Sequence, residues 1–94
     1  MNAHDLQTYL HERIPLSRAM EVAVQAAGSD GVVLYAPLAP NINHRDTVFG
    51  GSASAVAILA AWSALYVRMR AEQRAGRIVI RRNKMSYERP ITGD

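Results

Sequence analysis

Cysteine is absent from the 94 residues, which excludes both a disulfide framework and a thiolate metal site. Aromatics are sparse, with one Trp and one Phe. They are not interleaved with the basic residues as a nucleic-acid stacking platform requires, so nucleic acid is not an expected partner. The first ten residues carry His4, Asp5 and Gln7 and lack the apolar core of a signal peptide. The longest apolar run, 53–67, is broken by Ser54 and Ser63 and falls short of the roughly 20 residues of a membrane span. No membrane span is expected, and the chain reads as cytoplasmic. Repeats and low-complexity segments are also missing.

What is present fits a small globular domain. Hydrophobic residues make up 49% of the chain, which is ordinary for a folded protein. A chain this short forms one domain with a small core, burying about two-thirds of the surface its unfolded form exposes. The 11 Lys and Arg outnumber the 8 Asp and Glu, and the basic residues gather late: Arg68, Arg70, Arg74, Arg77, Arg81, Arg82, Lys84 and Arg89. Arg68, Arg70 and Arg74 sit where cations offset a helix dipole. The others meet phosphates or an acidic partner, or form a solvated edge.

Leu6 and Leu10 stand four apart within 5–13, the spacing of a short amphipathic helix capped at or near Asp5. Pro15 ends that helix or starts the turn 15–19. Residues 21–27 alternate, with Val22, Val24 and Ala26 on one side, and predict a strand. Gly28-Ser-Asp-Gly31 is a hairpin turn signal, and 32–38 is a β-branched and apolar run suited to pair with that strand, bounded by Pro37 and Pro40. A long helix is expected from about 51 to 74, stopped by Gly76. Its middle is apolar all round, so it should be buried on most sides. Residues 77–88 predict a third strand.

The most informative segment is Asn41-Ile-Asn-His-Arg-Asp-Thr-Val-Phe-Gly-Gly-Ser52. A polar loop empties into two glycines that open the apolar helix. A helix N-terminus offers unpaired N–H groups and the positive end of the dipole, and glycine lets a ligand approach the backbone. The arrangement suits an oxyanion or carbonyl oxygen beside polar catalytic groups. The plainer alternative is a glycine-started helix with no ligand.

The order of elements resembles the hotdog fold, an α+β architecture in which an antiparallel sheet wraps a long central helix. Its motifs resemble the thioesterase domain known from the C-terminal half of YiiD-type proteins. The residues that carry this resemblance are Ile14-Pro-Leu-Ser-Arg-Ala-Met20, Ala36-Pro-Leu-Ala-Pro-Asn-Ile-Asn-His44, Thr47-Val-Phe-Gly-Gly-Ser52, Leu59-Ala-Ala-Trp62 and Tyr87-Glu-Arg-Pro-Ile-Thr-Gly-Asp94. Hotdog domains continue with further strands beyond this point. The resemblance therefore implies one incomplete domain over 1–94, its C-terminal strands missing, which is less stable than its relatives or recruits a second chain.

The resemblance implies chemistry on acyl thioesters of coenzyme A or acyl carrier protein in a homo-oligomer. No metal or separate cofactor is implied, since coenzyme A or phosphopantetheine enters as part of the substrate. Gly50 or Gly51 would supply the N–H that polarises the thioester carbonyl, unless the pair only makes a tight turn. Asn43 would position water or hold the acyl group, or else close the loop as an Asx-turn. His44 would bind substrate or act as base, or be structural. Asp46, the loop's carboxylate, would activate water or cap the coming helix.

Ser52 lacks a triad pattern and reads as a first-turn residue at the substrate's edge. Phe49, Trp62 and Met69 are core or acyl-pocket lining, and Arg81 and Arg82 would meet coenzyme phosphates or a carrier protein. Many hotdog thioesterases carry a carboxylate on the central helix, yet 56–59 is wholly apolar here. Three readings follow. The domain hydrolyses an acyl thioester, decarboxylates a malonyl-type thioester, or is a non-catalytic fragment that kept the loop.

Overall fold

A computed structural model describes residues 1–72, 91 and 92. Helix α1 (Ala3–Arg13) and the single-turn α2 (Pro15–Ala19) lead into a hairpin of β1 (Ala23–Gly28) and β2 (Gly31–Tyr35). A 3-10 turn (Ala39–Asn41) and a loop then precede the long α3 (Gly50–Ala71). The expected third strand, the Gly76 stop and Arg74 lie outside the described residues.

Helix α1 starts at Ala3, two residues earlier than expected, because Asn2 is its cap. The Asn2 side chain accepts the Asp5 N–H at 2.8 Å, and Asp5 supplies first-turn negative charge against the dipole. Leu6 and Leu10 are fully buried, each stabilising the fold by about 1.5–3 kcal/mol. They pack with Met20, Val22, Val24, Leu59 and Val67 in one core between α1, β1 and α3.

The neighbouring side chains of α1 join it to the edge of β1 that faces away from β2. Gln7 Oε1 accepts the Val24 N–H at 2.9 Å. His11 Nε2 lies 2.7 Å from the Val22 carbonyl, and a carbonyl only accepts, so Nε2 carries the proton. Residues four apart on a helix thus satisfy backbone groups two apart, at Val22 just before β1 and at Val24 within it.

The hairpin departs from simple alternation. Glu21 lies in the left-handed region (φ 55°) at the end of α2, so the strand starts at Ala23. A bulge between Val24 and Ala26 then shifts the register: Val24 pairs with Leu34, Ala26 with Val33, and Ala27 with Val32. The extra residue inverts the side chains beyond it. Ala27, Val32 and Leu34 pack on the core, whereas Ala26 and Val33 face out. The expectation that Ala26 shares the Val22–Val24 face is corrected by this bulge. β2 runs Gly31–Tyr35 and stops short of the expected end at 38, because Pro37 has no N–H to give a ladder.

Helix α3 is buried on one stripe, Leu59, Ser63 and Val67, rather than on most sides. Among the described residues the hairpin and α1 cover that stripe, and Ala57, Ala61 and Leu65 are exposed. At 22 residues it is long and apolar enough to cross a membrane by length and composition, exceeding the apolar run from which no span was expected. The central helix of a sheet-wrapped domain has the same character. Its last turn carries Arg68 and Arg70, the cations that offset the dipole.

An aromatic stack joins α1 to α3. Trp62 and Tyr66 lie 4.9 Å apart and Tyr9 lies 4.8 Å from Tyr66, with the Arg13 guanidinium 5.7 Å from the Tyr9 ring centre. The Tyr9 hydroxyl is raised above the ordinary tyrosine pKa, first by its hydrogen bond with Tyr66 and then by burial.

Two outcomes follow from this packing. Ala27→Asp should destabilise by about 1–3 kcal/mol, while Ala26→Asp stays within about 0.5 kcal/mol. Equal effects in urea titrations would refute the bulge's role. A raised Tyr9 pKa means that the neutral hydroxyl is favoured in the folded state. The stability it adds is present below the ordinary value near ~10 and is lost as pH rises through the higher folded value. Melting temperature should therefore fall above that range, and less steeply in Tyr9→Phe.

Candidate active site

The segment between β2 and α3 lies outside the β1–β2 hairpin, and most of its backbone bonds are made within the segment itself. It forms a small closed loop. Ile42 and Val48 make an antiparallel bridge, the Asn43 N–H donates to the Thr47 carbonyl at 2.8 Å, and the Phe49 N–H donates to the Asn41 carbonyl at 2.7 Å. Val48 is tied outward, its N–H donating to the Ile91 carbonyl at 2.8 Å.

Asn43 is the brace of this loop. Its Oδ1 accepts the N–H groups of Arg45 (2.8 Å) and Thr47 (3.1 Å). Its Nδ2 donates to Thr47 Oγ1 (2.8 Å) and the Val48 carbonyl (3.3 Å). The Asx-turn is thus present, and all four hydrogen-bonding positions of the amide are engaged within the loop. Asn43 acts on the site by holding its shape.

His44 and Asp46 are exposed on the same loop. Asp46 adopts φ 60°, a left-handed conformation that Asp tolerates, and its N–H donates to the Asn43 carbonyl at 3.2 Å. It does not cap α3: the cap position is Phe49, with no side-chain cap bond.

Instead, the first turn of α3 closes on backbone. Ser52 and Ala53 both donate to the Phe49 carbonyl, at 3.0 and 3.1 Å. The Gly51 N–H makes no bond of this kind among the described residues. The Phe49 ring lies directly over Gly51: a Cβ there would overlap its Cε2 and stand 3.0 Å from its Cζ. Glycine is needed for that close approach, and Phe49 is 57% exposed above it.

Two pockets flank this helix start. One of about 320 Å³ runs beneath β2 along the Ser52, Ala53, Val56, Ala57 and Ala60 face of α3. The other, about 300 Å³, is lined by Phe49, Gly51, Ser52, Ala55 and residues of α2, and a neighbouring apolar pocket reaches Trp62. Asn41 and Ser52 line both of the first two. The loop and helix therefore bring Gly50, Gly51, Phe49 and Ser52 together, with Asn43, His44 and Asp46 on the adjoining loop. Arg81 and Arg82 lie outside the described residues.

Sequence reasoning passed over Asn41. It is buried, and its Nδ2 donates to the Met20 carbonyl (2.9 Å) and the Pro37 carbonyl (2.8 Å). Its Oδ1 has no partner. The only signal in the chain was a second Asn two residues before Asn43, which does not tell a buried amide from a loop one.

Asn43→Ala should destabilise by about 1–2 kcal/mol through the lost loop bonds. Asn43→Asp, which keeps both acceptor bonds, should lose less. Equal losses in thermal denaturation would show that the acceptor bonds do not hold the loop.

Comparison with known proteins identifies the fold and the family. A crystal structure of a protein of unknown function from Chlorobaculum tepidum TLS superposes with TM-score 0.91 at 32% identity, covering 97% of this chain and 56% of the other. The crystal structure of a thioesterase, described as putative, from Shewanella oneidensis superposes with TM-score 0.90 at 30% identity, covering 97% and 67% respectively. The chain thus spans little more than half the length of the Chlorobaculum protein. The α+β architecture is hotdog-like, as the order of elements implied. A family model described as "Putative thioesterase (yiiD_Cterm)" matches residues 3–94, and the chain belongs to this YiiD C-terminal thioesterase family.

Proposed function

We propose that the domain hydrolyses acyl thioesters of coenzyme A or acyl carrier protein. The observation that carries this reading is the glycine start of α3 between two apolar pockets. The thioester carbonyl oxygen accepts the Gly51 N–H, with the helix dipole behind it. The acyl chain lies along the Ala53–Val56–Ala60 face beneath β2. Water attacks the carbonyl carbon, charge collects on the oxygen at the N–H, and the tetrahedral species collapses to carboxylic acid and thiol. Fixed donors placed where charge develops stabilise that species without reorganisation. Asp46 or His44 serves as the base, and Asn43 keeps their loop in place.

One observation favours a second reaction. Helix α3 contains no Asp or Glu, so no carboxylate on its face activates water. Decarboxylation of a malonyl thioester needs none: the C–C bond breaks, carbon dioxide leaves, and the enolate oxygen takes the same N–H before carbon is protonated. In either reaction we take the protein as a cytoplasmic homo-oligomer; among the described residues the exposed Ala57, Ala61 and Leu65 stripe offers an apolar face for a second copy.

Gly51→Ala and Gly51→Pro separate the N–H from the space around it. Both add a Cβ against Phe49, but only proline removes the donor, at the second helical position, where the N–H has no intrahelical partner to lose. With acyl and malonyl thioesters as substrates, Gly51→Pro should lower kcat about 10²–10³-fold beyond the effect of Gly51→Ala. Similar rates for the two variants would exclude Gly51 as the donor. Product analysis decides between acid and carbon dioxide, and light scattering of the same samples should give a mass above the monomer.

A further inference from the structure

Asn41 is the most deeply placed polar group of the site, at 3% exposure. Its orientation is settled by its neighbours. Both Nδ2 protons go to carbonyl oxygens, those of Met20 and Pro37, and a flipped amide would set oxygen against oxygen. Oδ1 is left as a buried acceptor with no partner. Native proteins keep few such groups. Among the described residues Ser63 Oγ is the other one, but it is fully buried in the middle of α3 and lines neither pocket beside the helix start. Asn41 lines both.

Two independent features therefore meet at one place. The start of a 22-residue helix presents N–H groups suited to a carbonyl oxygen. Asn41 lines both pockets, and its rigidly held Oδ1, unpaired and closed to bulk water, calls for a donor. All other side chains lining the larger pocket are aliphatic except Ser52. A plain acyl group carries no donor and would leave Oδ1 unpaired.

We propose that Asn41 Oδ1 accepts a hydrogen bond from an O–H or N–H carried by the thioester close to its carbonyl. Two parts of such a molecule supply this chemistry: a hydroxyl on the acyl chain, or the first amide N–H of the pantetheine arm. The inference rests on the thioester reading above and names the feature by which this site selects its substrate. Sites built around a buried polar group discriminate strongly against ligands that leave it unpaired.

The test uses the wild-type chain and stable analogues in which the thioester sulfur is replaced by methylene. Four analogues cover both sources, with and without a 3-hydroxyl on the acyl chain and with and without the first amide in the arm. A donor at the right position should tighten Kd about tenfold and shift the Asn41 side-chain ¹³Cγ resonance, which the donor-free analogue leaves in place. Preference for the hydroxyl identifies the acyl chain as the source, and preference for the amide identifies the arm. Asn41→Leu, where it folds, should bind all four alike; where it does not, the wild-type comparison still decides. Four affinities within twofold and an unmoved resonance, or no binding at all, overturn the proposal. Turnover of the matching thioesters is read separately: donor preference without hydrolysis or decarboxylation would refute the proposed reactions and leave the Asn41 pairing standing.

Discussion

The site depends on one constraint: the backbone between β2 and α3 lies outside the β1–β2 hairpin and draws its hydrogen bonds mainly from its own loop and its side-chain amides. Two asparagine amides meet it. Asn43 closes the loop on itself through four bonds. Asn41 ties the loop to the ends of α2 and β2 through Met20 and Pro37. Asparagine suits both positions, because a single side chain supplies two donors and two acceptors in a plane. A hydroxyl could meet half of either task. With the loop held this way, the Phe49 N–H reaches the Asn41 carbonyl, and α3 begins at a defined point with no side-chain cap.

The same bonds join the site to the core. Met20 is at once a core side chain and the residue whose carbonyl receives Asn41. Two residues later, Val22 lies in the core, and its carbonyl meets His11. Helix α1 thus holds the strand that follows the very turn from which the loop is hung. Apolar burial supplies the stability, and directed hydrogen bonds convert it into position. Such an arrangement is expected where a site must be held to fractions of an ångström by a small core.

Much of this was legible in the residues. Leu6 and Leu10 announced α1, the Gly-Ser-Asp-Gly turn announced the hairpin, and the Phe-Gly-Gly-Ser block announced a helix start. Each is a local signal, carried by spacing or by one residue's conformational range. The bulge at Gln25 escaped because nothing in Val-Gln-Ala-Ala marks an extra residue; it exists because Ala27, Val32 and Leu34 bury better in that register. The helix was read as buried on most sides, yet its single buried stripe reflects which elements lie against it.

The chain by itself determined the kinds of element, their order and the glycine-led opening of α3, because helix caps, turn glycines and apolar spacing act within a few residues. Tertiary structure alone decided which asparagine braces the loop and which is buried with an acceptor to spare. Asn41 and Asn43 are chemically identical and two residues apart. Their difference arises from Met20 and Pro37, carbonyls contributed by other elements that only the folded chain brings to one side of Asn41.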